Sequence, residues 1–314
     1  MISIVILTCN RPDALLENLD IISKQVYSDK EVIIVDNGNP KQTRMILPQD
    51  KFDYVYVNMH SNIGCDARNY GIKASHGEII VTLDDDVLFS DIYTTNKIAT
   101  LFKEKPEVSV VNFKIVFDGD RSIIPFNWYH PRDYREYGNK EFETDYISEG
   151  AVAFRKEIFE HVGYYPAEFF LSHEGPDLAY RILNANYKII YSPEIEVIHK
   201  VSKIQRASWR NSYYDTRNQI WLGIRNFPLL MLTHHLINRI GTTFLFCMAR
   251  GHVRWYLKAL LDALKGLPRE LKNRKPISKE TINRLRMIRK LKPGFIYKVR
   301  VFIEKIQLAK RYYN

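Results

Sequence analysis

Three consecutive carboxylates, Asp84, Asp85 and Asp86, follow an apolar run at residues 79–83. Like charges at the end of a buried strand repel one another and are costly to desolvate, so they require compensation. A divalent cation such as Mn²⁺ or Mg²⁺ binds carboxylate oxygens and often shares its coordination with substrate phosphates. Alternate residues of an extended segment point the same way, so Asp84 and Asp86 can act together. The triplet therefore predicts a metal site, with a solvated turn as the alternative.

Polar residues that could bind a ligand also follow the other apolar runs of the first half of the chain. Near residue 64 a glycine turn leads into a helix, where backbone N–H groups and Arg68 could meet a diphosphate. A surface arginine in a first helical turn is the alternative. The candidate binding residues that follow these runs are Thr8, Asn10, Arg11, Asp36, Asn62 and Gly64, and Arg68 lies in the helix after Gly64.

The segments that would position these residues alternate between strand and helix patterns. They are strands at 2–8, 31–35, 53–58 and 78–83, with helices from Pro12 and within 62–75. Such alternation indicates a parallel sheet with right-handed crossovers. Ligands of such sheets bind beyond the carboxyl ends of the strands, which is where the polar clusters lie. Their convergence is the first argument for a site.

The second half of the chain breaks this alternation. Residues 118–146 are aromatic and polar, which predicts a long loop region over the site. The other predicted elements are strands at 108–117, 148–154, 187–191 and 194–198, helices at 155–161 and 177–185, and only helices from about residue 207.

Several short motifs follow one another along roughly residues 1–200. They are Val5–Pro12 (VILTCNRP), Val32–Gly38 (VIIVDNG), Asn62–Asn69 (NIGCDARN), Leu83–Asp86 (LDDD), Glu149–Arg155 (EGAVAFR) and Phe169–Arg181 (FFLSHEGPDLAYR). Each motif is modest alone, but their order and spacing are specific. Together they resemble glycosyltransferase family 2, whose members have the nucleotide-sugar-binding GT-A fold.

The resemblance implies roles for the matched positions. Asp36 resembles the residue that contacts the pyrimidine base, and Arg68 resembles a residue near the nucleotide. The residues implied to bind the nucleotide-sugar are Thr8, Asn10, Arg11, Asp36, Asn62, Gly64, Arg68, Asp84 and Asp85. Those implied to bind Mn²⁺ or Mg²⁺ are Asp86, His199 and Asp84. A structural histidine at the end of a strand is the alternative for His199.

Glu174 resembles the residue that acts as catalytic base in this family. Inverting transfer needs one carboxylate to take the proton of the attacking hydroxyl, while a metal stabilises the leaving diphosphate. Asp177 belongs to the same catalytic segment and resembles a scaffolding residue, paired i, i+4 with Arg181. Gly175 departs from the pattern, because many relatives have a second acid there. Charge that complements a helix dipole is the alternative for both acids.

These features predict an α/β GT-A fold, with a mostly parallel sheet, flanking helices and a basic helical extension at the C-terminus. The expected catalytic unit is 1–205, with nucleotide-sugar binding at 1–110 and the acceptor side at 111–205; a helical region follows at 206–314. The implied activity is inverting, metal-dependent transfer from a UDP- or dTDP-sugar to a hydroxyl of a glycan or lipid-linked acceptor. Cell-surface polysaccharide or glycolipid assembly is the implied setting.

Two other functions are weighed against this one. A nucleotidyltransferase that makes nucleotide-sugars would carry a Gly-rich, Arg-containing loop where this chain has residues 8–12. A non-catalytic sugar-binding relative would lack the Asp triplet or Glu174, and both are present. The sequence therefore favours a transferase.

Charge is distributed unevenly along the 314 residues. Residues 250–314 carry a net charge of +15, whereas residues 1–249 carry −5. The basic region contains apolar and aromatic residues such as Trp255 and Leu261, which is typical of an amphipathic helix on an anionic membrane. Helices packed on the catalytic unit, or a homodimer interface, are the alternatives. No recognised motif accompanies the charge to indicate nucleic acid as a partner.

Cysteine usage and hydropathy predict the location of the protein. Its three cysteines have neither metal nor disulfide spacing, which favours a reducing cytoplasm. The N-terminus has no signal-peptide pattern, and no apolar run is long enough to predict a membrane span. We therefore expect a cytoplasmic protein, peripheral at the inner face of the cell membrane.

Overall fold

A single sheet organises the protein. The structure is a computed structural model and describes residues 1–39, 43, 47, 53–200 and 208–312. Nine strands of this described chain form the sheet. They are β1 (Ile2–Thr8), β2 (Lys30–Asp36), β3 (Val55–Asn58), β4 (Ile79–Asp84), β5 (Val87–Phe89), β6 (Val108–Phe117), β7 (Phe142–Glu143), β8 (Ala151–Arg155) and β9 (Lys188–His199).

Helices flank the sheet and form the C-terminal region. They are α1 (Pro12–Ser23), α2 (Asp66–Ala74), α3 (Thr94–Glu104), α4 (Tyr134–Tyr137), α5 (Ile158–Val162), α6 (Glu174–Asn184), α7 (Trp209–Asn226), α8 (Leu229–Ala249), α9 (Val253–Lys272), α10 (Lys279–Ile288) and α11 (Phe295–Tyr312). The expected α/β architecture with a helical C-terminal region is therefore confirmed.

The strand order is β3-β2-β1-β4-β8-β6-β9-β5, and β7 pairs with β9. Strands β3, β2, β1 and β4 are parallel, as expected, and so are β6 and β9. Strand β8 runs antiparallel between β4 and β6, and β5 and β7 run antiparallel to β9. The sheet is mixed, and the carboxyl ends of β1, β2 and β4 lie at one edge.

Alternation along β1 divides the core between the two faces of the sheet. Ile4 and Ile6 pack on one face in the same cluster as Leu15 of α1. Val5 packs on the other face in the same cluster as Ile72 of α2. Successive side chains of a strand point to opposite faces, so a strand covered by helices on both sides is apolar throughout.

Strand β9 is continuous over 12 residues, whereas two short strands were expected on either side of Pro193. Its register with β6 shifts between Phe113 and Lys114, whose partners are Ser192 and Glu196. The residues between these partners form a bulge. A bulge accommodates proline, because proline lacks the N–H that the ladder requires.

Other elements also differ from expectation. Strand β5 and helix α3 occur where the sequence predicted no element. Helix α6 begins at Glu174, three residues before the expected start at Asp177, so Glu174 belongs to its first turn. The loop expected at 118–146 contains the short elements α4 and β7.

Helix α9 packs on α7 as part of the fold. Trp221 Nε1 donates a hydrogen bond to the Ala263 carbonyl at 3.1 Å. Arg225 of α7 forms an ion pair with the buried Glu270 of α9. The expected domain boundary at 205/206 lies within residues 201–207, outside the described chain. No described helix is long and apolar enough to cross a membrane.

Asp177 joins α6 to α7. Its side chain is only 1% exposed. One carboxylate oxygen accepts a hydrogen bond from Arg181 Nε at 3.0 Å, and the other accepts one from Asn226 Nδ2 at 2.8 Å. Because both oxygens are occupied within the protein, Asp177 acts here as a scaffold.

We predict that Asp177→Asn lowers the free energy of unfolding by about 3 kcal/mol, because it leaves Arg181 beside an uncharged partner in a buried setting. Denaturant-induced unfolding measures the change. The matched control is Asp20→Asn, which breaks an exposed i, i+4 pair with Lys24 and should cost less than about 0.5 kcal/mol. Equal losses in the two variants would contradict the structural role of Asp177.

Candidate active site

A cavity of about 520 Å³ opens at the carboxyl ends of β1 and β4. This is the edge at which the polar clusters were expected to converge. The structure brings most of the predicted site residues to its walls. These are Thr8, Asn10, Arg11, Asn62, Gly64, Arg68, Asp84, Glu174 and His199. Asp85 and Asp86 lie directly behind this wall, bound to Arg11.

Asp36 is buried at the end of β2. Its carboxylate accepts hydrogen bonds from the Gly38 N–H at 2.9 Å and from the Tyr56 hydroxyl at 2.6 Å. The neighbouring Asn37 lines the cavity instead. Asp36 thus stabilises the turn that presents Asn37. Asp177, the other predicted residue away from the cavity, has the scaffolding contacts described above.

The acidic triplet is compensated by arginine. Arg11 forms ion pairs with both Asp85 and Asp86. The Thr8 hydroxyl donates a hydrogen bond to Asp85 at 2.8 Å. Burial raises the pKa of Asp85 to about 7, although Arg11 and Thr8 oppose this shift. Part of the repulsion that predicted a cation is therefore relieved within the protein.

Arg68 lines the cavity with part of its guanidinium group. Its Nη2 binds Asp84 at 2.6 Å. The side chain is buried, and within the described chain its Nε and Nη1 atoms have neither accessible surface nor a hydrogen-bond partner. A guanidinium group at a cavity wall is suited to contact with a phosphate. This is the position at which the sequence predicted a diphosphate.

Asp86 and His199 form a two-residue candidate for metal binding. His199 Nε2 lies 3.8 Å from Asp86 Oδ1. His199 Nδ1 lies 3.1 Å from Asn127 Oδ1, which holds the ring in place. Across the residues that the structure describes, no group of three or more His, Cys, Asp or Glu side chains could hold a metal. Carboxylate and imidazole suit Mn²⁺, provided that further ligands come from phosphate and water.

Gly64 joins the nucleotide side of the cavity to the segment before Glu174. It has φ of +68°, and a Cβ at this position would overlap the Phe170 carbonyl. The next N–H, of Cys65, donates a hydrogen bond to that carbonyl at 2.8 Å. Phe170 and Ser172 also have positive φ. Such backbone strain at non-glycine residues is characteristic of functional sites.

A second cavity, of about 870 Å³, adjoins the first. Helices α7 and α8 supply much of its wall, including Gln219 and Arg239. Residues between Tyr129 and Tyr180, together with Arg289 and Lys292, supply the rest of its wall. The residues that line both cavities are Tyr129, Tyr146, Glu149, Leu171 and Glu174.

Glu149 is a site residue to which the sequence assigned no role. It lies beside Glu174 where the cavities meet, and its Oε1 accepts a hydrogen bond from the Gly175 N–H at 2.6 Å. Burial raises the pKa of Glu149, and burial together with Glu149 raises the pKa of Glu174 to about 8. The sequence signals for Glu149 were an acid in a predicted strand and its place at the start of the Glu149–Arg155 motif.

The family model for glycosyl transferase family 2 matches residues 3–163, about half of the chain. YwdF, an uncharacterized glycosyltransferase of Bacillus subtilis, is 28% identical over 53% of this chain and 62% of its own length. WbaN, an O-antigen chain rhamnosyltransferase of Salmonella anatum, is 24% identical over 62% of this chain and 63% of its own. The chain thus spans about three fifths of the length of these two relatives. RfbF of Shigella flexneri, a dTDP-rhamnosyl transferase, is 23% identical over 80% of this chain and 91% of its own.

Solved structures show a similar fold. The mannosyltransferase PcManGT of Pyrobaculum calidifontis, in complex with GDP-Man and Mn²⁺, aligns with a TM-score of 0.57 and 17% identity over 98% of this chain and 85% of its own. S. aureus TarS 1–349 with UDP-GlcNAc aligns with a TM-score of 0.59 and 17% identity over 92% of this chain and 90% of its own. With the family match and the site geometry, these likenesses lead to one conclusion: the chain belongs to glycosyltransferase family 2 and has its GT-A fold.

Proposed function

We propose that this protein is an inverting, metal-dependent glycosyltransferase that moves a sugar from a UDP- or dTDP-sugar to an acceptor hydroxyl in cell-surface polysaccharide or glycolipid assembly. The observation that carries the proposal is the meeting of two cavities at a pair of carboxyl groups, Glu149 and Glu174. A transferase needs adjoining sites for donor and acceptor, with a proton acceptor between them. The names of WbaN and RfbF support a deoxysugar such as rhamnose as the first donor to test.

The first cavity is the donor site in this proposal. The Arg68 guanidinium at the cavity wall contacts the diphosphate. Asn37 and Asn62, which are hydrogen-bonded to each other at 3.2 Å, face the nucleoside. Arg210 of α7 also lines this cavity and adds a second cation for the phosphates.

Asp86 and His199 would hold Mn²⁺ or Mg²⁺ together with oxygens of the donor. When bound, the cation offsets the negative charge of the leaving diphosphate, so no separate acid is required. Asp84, also expected to bind the metal, is held by Arg68 at the cavity wall. Its position next to the diphosphate site keeps it available to the ribose or to the cation.

The second cavity receives the acceptor, a glycan or a lipid-linked glycan. Its hydroxyl approaches the sugar from the side opposite the diphosphate, which inverts the configuration at the sugar carbon. A carboxyl at the junction, where Glu174 lies, takes the hydroxyl proton. Helices α7 and α8 complete the acceptor cavity, so the C-terminal region takes part in acceptor recognition.

Hydrolysis of a panel of nucleotide-sugars, including dTDP-rhamnose and UDP-hexoses, with Mn²⁺ or Mg²⁺ tests this function. A glycosyltransferase releases the nucleoside diphosphate slowly when water replaces the acceptor. A nucleotidyltransferase would instead form a nucleotide-sugar and pyrophosphate from a nucleoside triphosphate and a sugar phosphate. Nucleotide binding without either reaction would indicate a non-catalytic relative.

Helix α9 also supports the expected contact with an anionic membrane. It exposes Leu257, Leu261 and Leu264, which are 53%, 60% and 65% accessible and share one side of the helix. Arg254 and Lys265 are basic neighbours on the same helix. Exposed apolar residues flanked by cations are suited to the surface of an anionic bilayer. Peripheral attachment at the inner face of the cell membrane is part of the proposal.

For the metal, we predict that Asp86→Ala abolishes the gain in UDP or dTDP affinity that Mn²⁺ gives the wild-type protein. Calorimetric titration of each nucleotide with and without Mn²⁺ measures that gain. Asp13→Ala, at an exposed position in the first turn of α1, is the control and should keep it. The metal site would be contradicted if the wild-type protein bound UDP or dTDP equally well in Mn²⁺ and in chelator.

For the membrane, we predict that Leu257→Gln, Leu261→Gln and Leu264→Gln together reduce co-sedimentation with phosphatidylglycerol-containing vesicles several-fold. Deleting the region from residue 250 is unsuitable, because it would remove the Glu270 partner of Arg225. The control is Val26→Gln with Ile92→Gln, two exposed apolar residues on the catalytic unit. The proposal fails if the triple variant sediments like wild type, or if binding is insensitive to salt.

A further inference from the structure

The space beside Gly175 is filled by the side chain of Glu149. A Cβ on Gly175 would overlap Glu149 Oε1 and the carbonyl oxygen of Ile147. The Gly175 N–H donates a hydrogen bond to Glu149 Oε1 at 2.6 Å. The absence of a side chain at 175 therefore allows the Glu149 carboxylate to lie against the start of α6. The Glu149 carboxylate, from the segment before β8, thus occupies the space that a side chain at position 175 of α6 would otherwise fill.

Glu149 and Glu174 both reach the junction of the two cavities, but their carboxyl groups have different partners. Glu149 Oε1 faces an N–H at the first turn of α6, where the partial positive charge of a helix lies. Glu174 is buried, and within the described residues its Oε2 atom has no hydrogen-bond partner. The surroundings therefore favour a negative charge on Glu149 over one on Glu174.

The groups that act most strongly on the pair are Arg68, Asp84, Tyr146, Tyr165 and Cys65. Arg68 is the cation among these five, and it already binds Asp84. Two adjacent carboxyls, of which Glu174 is buried and Glu149 partly buried, then hold one proton between them. The raised pKa values of Glu149 and Glu174 agree with this arrangement.

We propose that Glu149 is the carboxylate that takes the proton from the acceptor hydroxyl, and that Glu174 carries the proton of the pair and positions Glu149. The proposal rests on the function proposed above and replaces the expected base, Glu174, with its neighbour. Glu149 is the catalytic residue in this arrangement, because it touches the reacting hydroxyl. Glu174 acts through Glu149 and is a positioning residue.

The proton transfer is coupled to one bond exchange. The O–H bond of the acceptor breaks and its proton moves to Glu149. The hydroxyl oxygen forms a bond to the anomeric carbon of the sugar, and the bond from that carbon to the diphosphate oxygen breaks. The diphosphate leaves with the bonding electron pair, and both carboxyls are then protonated until Glu149 returns its proton to solvent. When water is the acceptor, the same step hydrolyses the donor.

The test compares Glu149→Gln with Glu174→Gln, using the donor that the wild-type protein hydrolyses fastest in the nucleotide-sugar panel. We expect Glu149→Gln to lose about 10²- to 10⁴-fold in kcat at every pH, as loss of a general base does. We expect Glu174→Gln to lose about tenfold and to lack the alkaline limb that ionisation of Glu174 gives the wild-type pH profile, because glutamine cannot ionise. The acid limb, which reports Glu149 beside a neutral neighbour, should stay where it is in wild type. Affinity for UDP and dTDP should be unchanged in both.

Two further measurements separate catalysis from folding. Glu149→Asp keeps the charge but withdraws it by one methylene, so it should recover part of the lost turnover. Glu149→Ala leaves a space in which added formate can replace the carboxylate, so formate should raise its turnover but not that of Glu174→Ala. A purely structural role for Glu149 would give no rescue by formate and a thermal midpoint below that of wild type.

The outcomes distinguish this role from the function on which it rests. A wild-type protein that turns over no donor overturns the proposed function and this role together. A wild-type protein that is active, with Glu149→Gln near normal and Glu174→Gln inactive, overturns only the role of Glu149 and returns the base to Glu174. An alkaline limb that persists unchanged in Glu174→Gln overturns the shared proton.

Discussion

Three carboxylates lie at the carboxyl end of β4, where Asp85 and Asp86 are buried and Asp84 is 35% exposed. The site depends on how their charge is compensated. Arg11 compensates Asp85 and Asp86 from the turn after β1, and Arg68 compensates Asp84 from the first turns of α2. The two arginines lie on opposite sides of the parallel strands, so the ion pairs hold the ends of β1, β4 and α2 in a fixed relation. Arg11 and Arg68 also line the first cavity. The residues that compensate the carboxylates are thus the same ones that place positive charge at the cavity wall.

The sequence predicted β1, β2, β3 and β4, because a strand that is buried on both faces appears in the sequence as an apolar run followed by a polar turn. It did not predict β5 or α3. The direction of a strand cannot be inferred from its apolar pattern. The apolar pattern of β8 is the same whether it runs parallel or antiparallel to β4, and only its connections decide between them. The continuity of β9 through Pro193 was unpredictable for a related reason, since it depends on a register shift in its partner β6. Local patterns report burial, whereas pairing is a property of two distant segments.

The same distinction applies to the site. Residue types at strand ends predicted Arg11 and the aspartates, because charged residues beside buried strands need partners. Arg68 was predicted from the glycine turn before its helix, and Glu174 from the resemblance to the family. The contacts of Asp36 could have been anticipated locally, since an aspartate before Asn-Gly commonly accepts the N–H two residues on. The position of Glu149 could not have been predicted from its neighbours in sequence, because it depends on the absence of a side chain at Gly175, 26 residues later.

The helical C-terminal region was expected as a separate extension, but its contacts make it part of the active site. Asn218 of α7 donates hydrogen bonds to the carbonyls of Phe169, Leu171 and Ser172 at 2.8, 2.6 and 2.8 Å. These carbonyls belong to the strained segment that ends at Glu174, and strain of this kind persists only where the surroundings impose it. One buried amide of the C-terminal region therefore holds the backbone that aims Glu174 at the cavity junction. The predicted boundary at about residue 205 divides the sequence into two regions, but the geometry of the Glu149–Glu174 pair depends on residues of both regions.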